Sequence, residues 1–253
     1  MLSKSQIKEV ESQIYYVNST YKITGTDSSF LYQIQLPPNS EFNRVACLAA
    51  SIPKSFYTIE TGFNVFQLNE GTTVDITLSV GNYNRKTLAS TLATLLTNAS
   101  PNKWTYTVTY PNVATTPDTG FYTFSIAGST SQPSFIFTSS SPFEALGFTS
   151  GTFSFTGSAL TSTNVTKLYL QDNILIHSNI CQNYNDNVLQ EIYTGDTTAF
   201  ANIVFYNSQL IVYSKKITTN NSNIYNFYLT DDSNNQIDLH GNNMLITLLL
   251  FHI

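Results

Sequence analysis

The sequence predicts an all-β protein, an antiparallel sandwich or jelly roll interrupted by one α+β stretch, and three observations carry that prediction. Short apolar/polar alternations with the period of a strand recur outside residues 81–151, and no helices alternate with them. The C-terminal run Met244 to Ile253 is apolar on both faces apart from Thr247 and His252, as a central strand covered on both sides would be. Residues 81 to 151 break the pattern with a helical period.

Residues 1–20 have no clean period and few turn signals, which predicts an N-terminal arm that orders on assembly. From Ser28, Phe30, Tyr32, Ile34 and Leu36 alternate with Leu31, Gln33 and Gln35 until Pro37-Pro38 stops the strand. Arg44 to Ile52 is a more buried strand closed by Pro53, and Val65 to Leu68 is a short one. In Thr72 to Val80, Val74, Ile76, Leu78 and Val80 share one face. These segments put residues 21–80 in the sandwich.

The stretch 81–151 reads as an α+β insertion domain. Leu88, Leu92, Leu95 and Leu96 form one helical face, with Asn82 or Asn84 as N-cap and Asn98 at its end. Trp104 to Tyr110 and Phe121 to Ile126 alternate and predict a hairpin with a long loop, followed by Phe135 to Phe137. Ser141-Pro142-Phe143-Glu144 has the spacing of a capping box, and Gly147 stops the helix after about a turn and a half. Strands then resume across 152–253: Thr152 to Phe155, Thr166 to Leu170, Asn173 to Ile180 and Val188 to Ile192. Ala201 to Tyr206 and Gln209 to Tyr213 are either a tight hairpin or one bulged strand. Tyr225, Phe227 and Leu229 alternate in the penultimate strand, and an Asx-rich connection leads to the last.

Charged residues are 11% of the chain, where about 25% is usual, and the net charge is −5. Nucleic-acid binding needs clustered Lys and Arg, and the basic pairs are only Arg85-Lys86 and Lys215-Lys216, so no nucleic-acid partner is expected. The last strand is too short to cross a bilayer as a helix, which takes about 20 residues, and no membrane span is expected. The first residues, MLSKSQIKEVESQ, lack the apolar core of a secretory leader, which predicts a protein made inside the cell. Sequons at Asn18, Asn98, Asn164 and Asn220 are what an Asn/Ser/Thr-rich chain produces by chance.

Candidate chemistry is sparse, and no catalytic, cofactor-binding or metal-ligating residues are assigned. Of His177, His240 and His252, only His177 has a potential co-ligand nearby, Cys181, and zinc needs three or four. A jelly-roll metal site would also need paired histidines on one strand. Asp231, Asp232, Asn234, Asn235 and Asp238 superficially resemble a calcium loop, but the Gly and Glu at the required positions are missing, so an Asx turn is expected. No serine elbow, phosphate loop or CxxC appears. A carboxylate pair for glycoside hydrolysis would meet only in three dimensions, and Trp104 is the only tryptophan able to offer a sugar platform. Cys47 lies in an apolar strand as a small core residue, and the sequence leaves open whether it pairs with Cys181. Tyr15, Tyr16, Tyr21, Tyr57, Tyr193, Tyr206 and Tyr213 are either interface residues or ordinary strand tyrosines.

The run Leu229 to Ile253 resembles the last two strands of vertex (penton) and related minor capsid proteins of virophages and polinton-like viruses. The resemblance rests on Leu229-Thr230-Asp231, then Asp238-Leu239-His240-Gly241, then Ile246-Thr247-Leu248. Val188 to Ile192, Ile203 to Phe205, the Tyr83…Leu88…Leu92 helix and the Phe143 to Phe148 turn fit the same layout, while His240 and Asn242-Asn243 depart from it. The resemblance implies a single jelly roll with an insertion domain between its fourth and fifth strands. It also implies a homopentamer at each vertex of the virion, assembled in the host cytoplasm beside a double-jelly-roll major capsid protein. The family has no catalytic residues to carry over. The reading from another class is a glycan- or receptor-binding module of the lectin or spike type, for which the insertion is the place to meet a host receptor.

Overall fold

The alternating runs pair into antiparallel ladders that form two compact units. The computed structural model describes residues 12–37, 40–111, 117–128, 131–168, 173–182, 187–194, 200–208, 211–218 and 222–253. The first unit, Met1–Phe56 with Gln171–Ile253, begins with β1 (Ser12–Asn18), β2 (Thr24–Gly25), β3 (Ser29–Gln33) and β4 (Arg44–Pro53). The second unit, Tyr57–Leu170, comprises β5 (Val65–Asn69), β6 (Thr73–Thr77), α1 (Arg85–Ala99), β7 (Thr105–Thr109), β8 (Thr123–Ala127), β9 (Ser134–Phe137), α2 (Phe143–Leu146), β10 (Gly151–Ser154) and β11 (Ala159–Thr161). The chain then re-enters the first unit with β12 (Asn173–Ser178), β13 (Cys181–Gln182), β14 (Val188–Tyr193), β15 (Ile203–Asn207), β16 (Lys215–Ile217), β17 (Ile224–Thr230) and β18 (Leu245–Phe251).

The first unit has two sheets, one ordered β1-β18-β4-β16-β13 with β15 also on β4, the other ordered β14-β12-β17-β3-β2. Apart from β2–β3 and β15–β16, which stay within one sheet, successive strands of this unit pass between the sheets, and the first strand lies beside the last, which is jelly-roll topology. β18 is central, paired with β1 on one side and β4 on the other. Its inward side chains Ile246, Leu248 and Leu250 are fully buried against Val17, Cys47 and Val45 of the neighbouring strands' inner face. The expectation that both faces are covered needs correcting: Leu245 is 37% exposed, and Thr247 and Leu249 are half-buried.

Three further expectations change. The arm expected over residues 1–20 is strand from Ser12, followed by a 3₁₀ turn over Ser19–Tyr21; residues 1–11 lie outside the described residues. Pairing with β18 orders this edge, a long-range gain that local periodicity does not show. The stretch Gln209 to Tyr213 is neither hairpin nor bulged strand, because Ile211–Tyr213 forms a 3₁₀ turn; residues 209–210 lie outside the described residues. The unit that interrupts the jelly roll is wider than 81–151. Leu68 on β5 pairs with Phe135 on β9, so β5 and β6 belong to it and not to the sandwich. At its other end, β11 pairs with β8.

The second unit's sheets run β10-β9-β5-β6 and β11-β8-β7. Its core is aromatic, with Phe124, Phe135, Phe137, Phe148 and Phe155 buried and mostly edge-to-face. Helix α1 starts where Asn84 accepts from Thr87 N and Thr87 Oγ1 accepts from Asn84 N, and it buries Leu88, Ala89, Leu92 and Leu96 in that core. Asn98 is inside the helix and Ser100 is its C-cap. No capping box forms on α2: Ser141 Oγ accepts from Thr138 N instead. Gly147 does stop the helix, at φ 79°, and an added Cβ there would lie 2.5 Å from Asn164 O. Of Thr166 to Leu170, where a strand was expected, Thr166 to Leu168 is coil; Tyr169 and Leu170 lie outside the described residues.

Cys47 and Cys181 are free and buried. Burial pushes the Cys47 thiol up to about 12 and the Cys181 thiol up to about 11, both from 9.0. Keeping them neutral favours the folded state fully below pH about 9, and that contribution is lost as pH rises through the raised values. A thiol reagent is therefore expected to label neither cysteine at pH 7.5 and both after denaturation. Rapid labelling of the native protein would contradict it.

Candidate interaction surface

Most of the positions that the sequence offers for chemistry are engaged in structural bonds. His177 is buried on β12, its Nε2 lies 2.8 Å from Thr230 Oγ1, and its ring stacks on Tyr228 at 4.5 Å. Cys181 is not on its strand: β12 ends at Ser178, and Cys181 opens β13 in the other sheet, its thiol donating to Ser178 O. The Asp231 carboxylate accepts from Ser233 N, Asn235 N and Asn235 Nδ2, so the loop is an Asx turn whose oxygens are already occupied. His240 takes a positive φ of 50° in the turn before β18, and His252 Nδ1 lies 2.6 Å from Glu41 O. Among the described residues, no three His, Cys, Asp or Glu side chains gather as a metal site. No helix among them is long and apolar enough to cross a membrane.

Trp104 is buried and presents no sugar platform. Arg85 is paired with Asp118 at 2.5 Å and lies over the Tyr110 ring, and its bond holds the Asp118 carboxyl below the usual range. The residue that sequence reading missed is Glu70, a buried carboxylate after β5 that accepts from Ser100 Oγ, Asn102 N and Tyr106 OH. Its signal was faint: an acid directly before Gly71, in a hairpin turn between two apolar runs, reads as solvent-exposed.

What the surface does offer is apolar area, and its distribution is uneven. Among the described residues, the second unit's exposed large apolar side chains are Phe63, Val80 and Val165, and all the others belong to the jelly roll. Of the seven tyrosines singled out above, Tyr16, Tyr21, Tyr193 and Tyr213 are exposed, whereas Tyr15, Tyr57 and Tyr206 are half-buried. The register explains part of this. On the outward face of the sheet containing β18, cross-strand partners line up as Ile14–Leu249–Ala46, Tyr16–Thr247–Ala49–Asn207 and Asn18–Leu245–Ser51–Phe205. Pro53–Ile203 follows at the β4–β15 end. No member of these rows is charged. Tyr16 is 64% exposed, Phe205 66%, Ile203 58% and Ile14 46%.

No family model matches the chain, and no curated protein matches it in sequence. Its structure is similar to the crystal structure of the mavirus penton protein, with a TM-score of 0.50 and 11% sequence identity. The likeness covers 95% of this chain and 99% of that one. At such identity the likeness is one of fold, and it extends through both units.

Proposed function

We propose that this protein is a structural capsid protein, the homopentameric vertex (penton) of an icosahedral virus shell. The observation that carries the reading is the concentration of uncharged, exposed apolar side chains on the jelly roll of a chain that shares a penton protein's fold along its length. Soluble monomers rarely expose contiguous apolar patches above a few hundred Å². A surface of this kind, on a chain with only 11% charged residues, suits repeated contact with copies of itself.

The mechanism is geometric. Five jelly rolls related by rotation make one heterologous contact each with the next, and the rotation closes the ring. Each such contact buries more than roughly 1,000 Å², the scale of a specific interface. In the shell the ring is flanked by a double-jelly-roll major capsid protein, and the second unit is left for contact with a host receptor. Light scattering after gel filtration is expected to give five times the 28.2 kDa chain mass. A stable monomer or trimer at micromolar concentration would sink the reading.

A further inference from the structure

We infer that the outward face of the β1-β18-β4-β15 sheet, with Tyr16 on one outer strand and Phe205 on the other, is a contact surface for a second copy of this chain. The inference rests on the assembly reading above and assigns residues to it. The face is a continuous surface by register, since each row crosses from β1 or β18 to β4 or β15 without a charged side chain. Arg44 and Lys54 are the charges at its two ends along β4, and the Arg44 guanidinium donates to Ser214 Oγ and Ser214 O.

Two features select a second copy over other occupants. The chain carries net charge −5, so a basic partner would be drawn to a charged surface, and this one offers nothing to pair. Copies of an acidic protein meet most easily through a face that adds no repulsion. The face also runs on to a sheet edge, since among the described residues no strand pairs with the outer side of β1. Ser19 N donates to Met244 O, so the odd-numbered residues of β1 bond toward β18, while the main-chain groups of Ile14 and Tyr16 point away from the sheet. Of these, Tyr16 O accepts from Tyr32 OH. The seven residues Ser12–Asn18 contain no Lys and no Pro, the usual devices against unwanted pairing. A copy seated on the face shields this edge as well.

The test uses the full chain with Phe205→Glu and, separately, Tyr16→Glu, both at exposed positions where a charge leaves the core untouched. Phe63→Glu on the second unit, 54% exposed in the wild type, is the matched control. Sedimentation is expected to show self-association weakened about 30-fold or more for each face variant, as for an aromatic hot-spot residue, and unchanged for the control. Circular dichroism and the thermal midpoint of each face variant should match the wild type. If both face variants assemble as the wild type does, the assigned face is wrong and the assembly reading stands. If Phe63→Glu dissociates the protein equally, the face is likewise overturned. A wild type that stays monomeric, including one that binds lipid vesicles through this face, overturns both.

Discussion

Glu70→Ala is expected to destabilise the second unit by about 3 kcal/mol, because it leaves the buried Ser100 and Tyr106 hydroxyls without that acceptor at about 1–3 kcal/mol each. The carboxylate receives Ser100 Oγ at 2.8 and 2.9 Å, Asn102 N at 2.9 Å and Tyr106 OH at 2.7 Å. Its own carbonyl accepts from Asn102 Nδ2. The cluster ties the β5–β6 turn to the connection from α1 into β7, about 30 residues further along the chain. Ser100 Oγ also accepts from Trp104 N, which carries the network to the chain's single tryptophan. Trp104 fluorescence therefore reports on this unit, and the urea midpoint of the variant should fall accordingly. Glu70→Gln should cost less, since one oxygen still accepts while the new NH₂ faces donors. Burial first, and then the bond and charge of Glu70, push the Tyr106 hydroxyl above its ordinary range. The contribution of that bond is fully present below pH about 10 and is lost only as pH rises toward the elevated value. An alanine variant with an unchanged midpoint would remove the cluster from the account of stability.

Leu248→Ala is the second large effect, with about 3–5 kcal/mol lost from the first unit, the range for emptying a fully buried leucine site. Leu248 sits between Tyr15 on β1 and Cys47 on β4, beside the register shift after Thr247. It has no exposed surface, and the sandwich leaves little room for the neighbours to collapse inward. Leu245→Ala, on the same strand but facing outward, should cost under about 1 kcal/mol, since a partly exposed side chain leaves no sealed cavity. Chemical denaturation followed by far-UV circular dichroism measures both. Equal losses at the two positions would mean that β18 does not present one face to a core.

The difference between these two leucines shows where legibility in the sequence ends. Both lie in one apolar run, and from the run alone each reads as buried. Which residues face outward follows from β18 pairing with β1 and β4, and from what, if anything, lies beyond the sheet. The candidate surface has the same origin: Tyr16 and Phe205 are far apart in sequence, and only the rows through Thr247, Leu245, Ala49 and Ser51 bring them to one face. Glu70 was invisible for a related reason, since its donors come from beyond the next strand and helix.

Local chemistry was enough wherever an element is made by its own residues. The leucine spacing and the Asn84 cap produce α1, Gly147 ends α2, the Asp231 side chain closes its own turn, and the alternation in β17 and the apolar run of β4 make strands. Those features depend on contacts within a few residues, which the sequence displays directly. Long-range pairing decided the rest. β1 is a strand because β18 orders it, and β5 and β6 leave the sandwich because β9 offers them a partner. The C-terminal strand holds both lessons: its apolarity announced a central strand from sequence alone, whereas the half-covered outer face that Leu245 and Leu249 share with Ile14 is a property of the assembled sheet.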